Sequence, residues 1–240
     1  ITMVISIYVW SNFLVTKQTI VEIYEIYPLK QFNSSLYFYG DAISLSLVFL
    51  TGIIMFFVTL SSYTHIHHSI PTYNFLVLVT QTGIYGTFLV RDFVFFFIFW
   101  EIVLIPMFFL IEHWGGPRRS YAAMKFLIFT HIGSVIMLLG IFSGYAFITK
   151  DFSFDSYLKS VKDAEIWLQN LIFITFFIAF AIKMPIPPFH TWLPDAHVEA
   201  PSPISVVLAA LLLKMGGYGM LRIAYPFVPE LVNNYFTIIA

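Results

Sequence analysis

The chain has 240 residues, of which 59% are hydrophobic and 10% are charged, and its mean hydropathy is +0.85. Soluble domains carry about 25% charged residues, so this composition indicates a membrane protein. The net charge of −1, without a basic cluster, gives no sign of nucleic-acid binding, and the absence of cysteine excludes disulfide bonds, thiolate metal sites and iron–sulfur ligation by this chain.

Seven membrane-spanning helices are predicted, because a helix needs about 20 mainly apolar residues to cross a bilayer. They cover about 1–16, 42–63, 70–90, 93–113, 121–148, 166–183 with a broken continuation to about 195, and 202–223, and a further helix is predicted to start at 230–240. The alternating segments of about ten residues that are typical of a membrane β-barrel are absent from the sequence. We therefore predict an all-α membrane protein with a single transmembrane domain over 1–240.

The connections between the predicted helices are polar. The first, over 17–40, contains Pro28 and has room for a short extended piece at the surface. Residues 114–119 include two glycines and a proline and predict a loop. The segment 150–165 alternates Lys with Asp and Glu, and we expect a solvated surface loop there.

The stretch from Lys183 to Arg222 reads KMPIPPFHTWLPDAHVEAPSPISVVLAALLLKMGGYGMLR. Three prolines within five residues of Lys183 remove backbone donors and are expected to end the helix there. Unwound backbone at membrane depth is tolerated only where protein buries it or where it lines a watered cavity, and transporters use such breaks repeatedly. Gly216, Gly217 and Gly219 either loosen the next helix or permit close helix packing.

Three charged side chains fall within predicted spans: Glu101, Lys183 and Lys214. At 1.5 Å per residue, Glu101 lies roughly 14–16 Å from either end of its helix, and Lys214 is similarly deep. Lys183 lies deep only if its helix resumes beyond the prolines. An isolated lysine at the bilayer centre costs roughly 2.5–3.5 kcal/mol on insertion scales, so these residues are expected to have partners or a function.

Two interpretations of these charges are open. In the first, a Glu–Lys ion pair fixes the register of two helices and has only a structural role. In the second, the three groups relay protons, because a desolvated lysine exchanges protons more readily than a solvated one. We favour the relay, since a structural pair does not need a third charge.

Four further residues are weaker candidates for the relay: His131, His190, His197 and Lys125. Either His190 or His197 is suited to pass protons between water and the two lysines. His131 is equally compatible with a hydrogen-bonded structural histidine, and Lys125 with a side chain that reaches for the membrane interface. The spacing of His190, His197 and Glu199 does not match a helical zinc site, so no metal is predicted.

The run from Lys183 to Arg222 resembles the signature of the antiporter-like subunits of respiratory complex I. The stretches FFFIFWEIVLIPMFFLIEHWGG, AAMKFLIFTHIGS and GDAISLSLVFLTG are similar to the mitochondrial chain 4 subfamily (NADH:ubiquinone oxidoreductase) in particular. The resemblance covers about 36–228. It implies that Glu101 pairs with the lysine of the broken helix, that Lys214 belongs to a central axis, and that the chain contributes a proton pathway coupled to NADH:ubiquinone oxidoreduction.

The resemblance also implies what other chains supply. Members have about fourteen helices in two inverted repeats, so this chain corresponds to the first repeat, and a separate chain or a further segment is expected to supply the rest. NADH, FMN, iron–sulfur clusters and ubiquinone are expected on other subunits, with no cofactor in this chain. The expected partners are other membrane-arm subunits and membrane lipids, and no nucleic acid.

The expected location is the mitochondrial inner membrane, with the gene in the organelle genome. The 28 phenylalanines and 14 tyrosines agree with the AT-rich codons of such genomes. The start of the sequence has no cleavable presequence and no methionine at position 1, which is compatible with a start further upstream. Two alternatives are a cation/proton antiporter subunit outside complex I and a structural subunit that kept the fold without pumping.

Overall fold

The computed structural model describes residues 1–24 and 33–227. Its first elements are α1 (Thr2–Thr16), β1 (Ile20–Tyr24), β2 (Leu36–Gly40), α2 (Ala42–His65), α3 (Ile70–Leu89) and α4 (Phe93–Trp114). They are followed by α5 (Arg119–Phe147), α6 (Phe154–Lys162), α7 (Ile166–Lys183), α8 (Trp192–Glu199), α9 (Ser202–Val207), α10 (Leu213–Gly219) and α11 (Tyr225–Phe227). The helix start predicted at 230–240 lies outside the described residues.

Five helical segments in the described ranges are long and apolar enough to cross a membrane. They are Ala42–His65, Phe93–Trp114, Arg119–Phe147, Ile166–Lys183 and Ser202–Ala224. The predicted first span, α1, has only 15 residues, and α3 is made less apolar by Asn74, Gln81 and several threonines. Length and composition therefore support five spans directly, while α3 packs between α2 and α4 as part of the same bundle.

A two-stranded antiparallel sheet lies at one end of the bundle, which we call the hairpin end. In it β1 pairs with β2, and Ile20 stands opposite Gly40. The extended piece expected in the first connection is therefore present, and it is the exception to an otherwise helical fold. Phe38 of β2 also forms a bridge with Val90, which ties the sheet to the turn between α3 and α4.

Asp92 joins the hairpin end to α4. Its carboxylate accepts hydrogen bonds from the first backbone amides of α4, so it is the N-cap of that helix. The same carboxylate accepts from the Ser34 hydroxyl and the Ser35 amide, at 3.0 and 3.1 Å. Asp92 is buried, and this burial raises its pKa to about 6.

The segment 150–165 differs from the solvated loop that we expected. Residues Phe154–Lys162 form α6, and three residues of this helix are buried in the core: Phe154, Tyr157 and Val161. Their spacing of three and four places them on one helix face, while the charged residues that suggested a loop occupy the other face. The Tyr157 hydroxyl donates to the Gly140 carbonyl at 2.5 Å and so attaches α6 to α5.

The helix broken by prolines resumes. As predicted, α7 ends at Lys183, and the chain then turns and enters α8. The indole Nε1 of Trp192, the first residue of α8, donates to the Ile182 carbonyl at 2.9 Å, so α8 begins beside the end of α7. Ile182 also packs on Gly133 of α5, which lies 14 residues, or roughly 21 Å, from the start of α5. Lys183 therefore lies level with the middle of α5.

The last span runs from Ser202 to Ala224 and contains two π-helical segments, Leu208–Leu212 and Met220–Ala224, on either side of α10. Two of its glycines face α7. A Cβ atom on Gly216 would lie 2.7 Å from the Met184 amide nitrogen, and one on Gly219 would lie 2.4 Å from the Phe180 ring. These glycines therefore permit close helix packing, which was one of the two roles considered for them.

Candidate functional site

The structure brings four of the seven candidate residues to one depth in the bundle: Glu101, His131, Lys183 and Lys214. Glu101 of α4 contacts His131 of α5. Lys183 ends α7 beside Trp100 of α4. Lys214 of α10 is two residues before Gly216, which packs on the backbone just after Lys183.

The carboxylate of Glu101 has one engaged and one unengaged oxygen. Its Oε2 atom lies 3.1 Å from Nδ1 of His131, whose side chain is 58% exposed. Its Oε1 atom is buried and forms no hydrogen bond with any residue in the described ranges. Glu101 therefore connects an imidazole on the outer face of the bundle with the bundle interior.

Lys183 is buried without a polar partner. Its side chain is 2% exposed, and its Nζ atom forms no hydrogen bond within the part of the chain that the structure describes. The Nζ atom lies over the Trp100 ring, 5.0 Å from the centroid. Among the described residues, Glu101 and Lys183 therefore do not form the direct ion pair implied by the resemblance: the glutamate contacts His131, and its charge acts on Lys183 from a longer distance.

Lys214 faces outward from the described residues. Its side chain is exposed, and its Nζ atom donates to the Ala209 carbonyl at 3.1 Å. Ala209 lies in the first π-helical segment of the last span. At membrane depth an exposed lysine is unfavourable against lipid, so this face is suited to protein or to a watered cavity.

The two histidines after the helix break occupy different environments. His190 is exposed in the turn between α7 and α8. His197 of α8 is half-buried, its Nδ1 atom lies 2.7 Å from the Ser205 hydroxyl, and burial lowers its pKa. His197 and Ser205 line a cavity of about 430 Å³ that extends to Ala209, the residue bound by Lys214. The geometry thus connects His197, but not His190, with a candidate lysine.

Lys125 does not join the Glu101 group. Its Nζ atom forms an ion pair with Asp195 of α8 at 2.6 Å, and both side chains are about one-quarter exposed, at 22% and 25%. The sequence reasoning missed Asp195. A signal was available, because Asp195 is the acidic residue nearest to the helix break.

Glu199 is a structural anchor at the end of α8. Its side chain is 6% exposed, and its Oε2 atom accepts a hydrogen bond from the Arg118 amide at 2.8 Å. Its backbone carbonyl accepts from the Gly116 amide at 2.8 Å. These contacts hold the loop between α4 and α5 on α8, and a side chain at Gly116 would meet the carboxylate.

A second polar cluster lies at the hairpin end. Arg222, near the end of the last span, pairs with Asp41, the N-cap of α2. The Tyr218 hydroxyl donates to the Phe88 carbonyl at 3.0 Å and lies 3.3 Å from the Ser44 hydroxyl. The cluster joins α2, α3 and the last span, and so fixes the helix that carries Lys214.

Comparison with known proteins identifies the family. The family model described as NADH:quinone oxidoreductase/Mrp antiporter, TM, matches residues 90–240, which is more than half of the chain. The chain belongs to this family.

The relatives of this family member include subunits of quinone oxidoreductases. The chain is 44% identical over 199 residues to NADH-quinone oxidoreductase subunit M of Rhodobacter capsulatus, a match that covers 79% of the chain and 39% of that protein. It is 42% identical over 190 residues to the chloroplastic NAD(P)H-quinone oxidoreductase chain 4 of Cryptomeria japonica, covering 79% and 38%. The chain thus spans less than half the length of the curated relatives that it matches.

Solved structures show the same fold. A chain of respiratory complex I from Thermus thermophilus with bound NADH matches 98% of this chain with a TM-score of 0.86 and 25% identity, and the match covers 49% of that chain. A chain of the Mrp complex from Dietzia matches 100% of this chain with the same TM-score and 24% identity, covering 26% of that chain. The predicted fold class, a helical membrane protein of the antiporter-like type, is confirmed.

Proposed function

We propose that this family member is part of a proton-translocating membrane subunit of a complex I-type NADH:quinone oxidoreductase. The observation that carries the proposal is Lys183, a buried lysine at a helix break in the bundle that forms no hydrogen bond or direct ion pair with any other described residue. Burying a lysine there costs free energy that no ion pair offsets, and an ionisable residue inside the membrane is by default a candidate for a functional site such as a proton relay. The names of the two relatives above support the type of complex.

The proposed pathway uses the three charged residues of the membrane interior. Glu101 exchanges a proton with His131 through its engaged oxygen and with the bundle interior through its free oxygen. Lys183 carries the proton at the helix break, where unwound backbone admits water. Lys214 receives it on the outward face of α10, and the cavity beside His197 and Ser205 supplies a connection to the surface.

The chain itself has no role in electron transfer under this proposal. NADH, FMN, the iron–sulfur clusters and the quinone are bound by other subunits, and conformational or electrostatic coupling reaches this chain through the membrane arm. Its partners are those membrane-arm subunits and lipid. The outward-facing Lys214 supports a protein partner at that face, because lipid does not satisfy a lysine at this depth.

The test replaces Lys183 with Met and, separately, Glu101 with Gln in the complete complex, which is then reconstituted in vesicles. NADH-driven proton uptake and NADH oxidation are measured together. We expect both variants to pump at least tenfold more slowly, while Lys159→Met, which changes an exposed lysine of α6, pumps as the unaltered complex does. Unchanged pumping in both variants would leave only a structural subunit and would refute the pathway.

We further propose that the complex is the H⁺-translocating NADH:ubiquinone reductase of the mitochondrial inner membrane, with this chain encoded in the organelle genome. The high content of phenylalanine and tyrosine, whose codons are AT-rich, supports this location. Subcellular fractionation with an antibody against this chain is the direct test. Recovery of the chain in a plastid or plasma-membrane fraction, without mitochondrial markers, would contradict it.

A second candidate function is a cation/proton antiporter subunit outside complex I. The family description includes Mrp antiporters, and the Mrp complex from Dietzia has the same fold. Purification separates the two candidates. A complex that contains this chain and oxidises NADH supports the first, and one that exchanges sodium for protons without NADH oxidation supports the second.

A further inference from the structure

The ammonium of Lys183 lies against the face of the Trp100 ring. The distance of 5.0 Å from Nζ to the ring centroid is within the ~6 Å over which an aromatic face attracts a cation. The attraction is larger for a desolvated cation, and Lys183 is only 2% exposed. The ring face is therefore the nearest attractive contact that the structure shows for this ammonium.

The ring itself is held in place from several sides. Trp100 is buried, and its Nε1 donates to the Ser134 hydroxyl of α5 at 3.2 Å. The rings of Phe96 and Phe180 each lie 5.6 Å from it, centroid to centroid. An aromatic ring fixed in this way presents one face at one place, so the lysine that rests on it also has a defined position.

Glu101 follows Trp100 in α4, and each of the two residues contacts a different ionisable side chain of the site. Glu101 binds His131, and Trp100 faces Lys183. We propose that Trp100 is a positioning residue of the proton pathway, whose ring face binds the Lys183 ammonium while Glu101 is bound to His131. This inference rests on the proposed function, because the position of the ammonium affects transport only if Lys183 carries protons.

A packing role alone would also keep a tryptophan at this position, so the test separates the aromatic face from side-chain volume. Trp100→Phe retains an aromatic face and loses the indole. Trp100→Met fills similar space without a ring face, and Trp100→Leu is a second variant of that kind. All are made in the complete complex, and the amount of assembled complex is measured for each.

The first readout is the rate of NADH-driven proton pumping per assembled complex. We expect Trp100→Met to pump between about twofold and 30-fold more slowly, which corresponds to the range of cation–π attractions. Trp100→Phe should restore most of the rate. Equal rates for the Phe variant and the two non-aromatic variants would overturn the proposal.

The second readout is thermal stability, which does not depend on pumping. With Lys183 present, the Phe variant should have a higher unfolding midpoint than the Met and Leu variants. In a Lys183→Met background this difference should become smaller, because the cation is gone; a difference of unchanged size would show packing alone and refute the contact. Unchanged pumping in both Lys183→Met and Glu101→Gln refutes the proposed function, whereas the thermal comparison still decides whether the ring binds the ammonium.

Discussion

The close approach of α10 to the helix break predicts that a larger residue at Gly216 disturbs the packing of these helices. A Cβ atom on Gly216 would lie 2.7 Å from the Met184 amide nitrogen and 3.0 Å from the Phe180 carbonyl oxygen. Both are backbone atoms, so a change of side-chain rotamer cannot relieve the clash. Ordinary contact begins at 3.4 Å, so Gly216→Ala must push α10 and the end of α7 apart by about 0.7 Å.

The neighbouring glycine is a matched control. Among the described residues, a Cβ atom on Gly217 would meet only the Met184 Sδ atom, at 3.9 Å. Each Gly→Ala change gains up to about 1 kcal/mol of helix propensity, and this gain is common to both variants. Overpacking typically costs 1–3 kcal/mol, so Gly216→Ala should be less stable than Gly217→Ala by about that amount.

The assay is thermal inactivation of the purified complex, followed by NADH-driven proton pumping at a permissive temperature. Gly216→Ala should inactivate at a lower temperature than Gly217→Ala. It should also pump more slowly, because the displaced residue Met184 directly follows Lys183. A displacement near 1 Å can lower the rate at a catalytic site about 100-fold. Equal stability and equal pumping of the two variants would refute the packing at the helix break as described.

Three further predictions concern polar contacts. His131→Leu should slow NADH-driven pumping roughly tenfold, since it removes a hydrogen bond to a charged group, while Ile132→Leu on the same helix should not. Lys125→Ala and Asp195→Ala should show a coupling of about 1 kcal/mol in a double-mutant cycle of thermal stability. Burial raises the pKa of Asp92 from 3.8 to about 6, so the folded protein holds this proton more tightly than the unfolded chain does. The free energy of unfolding should therefore fall by about 3 kcal/mol as the pH rises from below 3.8 to above 6. Denaturation of the Asp92→Asn variant should lack this pH dependence.

Much of the fold could be predicted because the local sequence determines it. Long apolar runs specify α2, α4, α5, α7 and the last span, and the prolines after Lys183 specify where α7 ends. Helix α6 was predictable but was missed, since Phe154, Tyr157 and Val161 have helical spacing that the alternating charges of the segment obscured. The helix predicted over about 1–16 is present as α1, although its 15 residues are fewer than the roughly 20 that a membrane span needs.

The partners of the charged residues could not be predicted in the same way. Glu101 and His131 are 30 residues apart, and nothing in either helix fixes how the two are rotated about their axes. The depth of Lys183 depended on whether the helix resumed, which is decided by contacts of Trp192 and Glu199 with other helices. Such contacts depend on tertiary packing, and the sequence indicated only that the charges needed partners.

The contacts of the three charges favour a relay over a structural ion pair. A buried Glu–Lys pair that fixed helix register would be in direct contact, and removing one partner from such a pair costs roughly 3–5 kcal/mol. Here Glu101 contacts an imidazole, Lys183 an aromatic face and Lys214 a backbone carbonyl. The contacts of Lys183 and Lys214 are weaker than an ion pair, and the Glu101–His131 contact is an ion pair only while the imidazole is protonated, so all three are compatible with a change of protonation. Under the proposed function, such contacts let a proton move among the three residues without first breaking a buried Glu–Lys pair, which is the property that a transfer pathway requires.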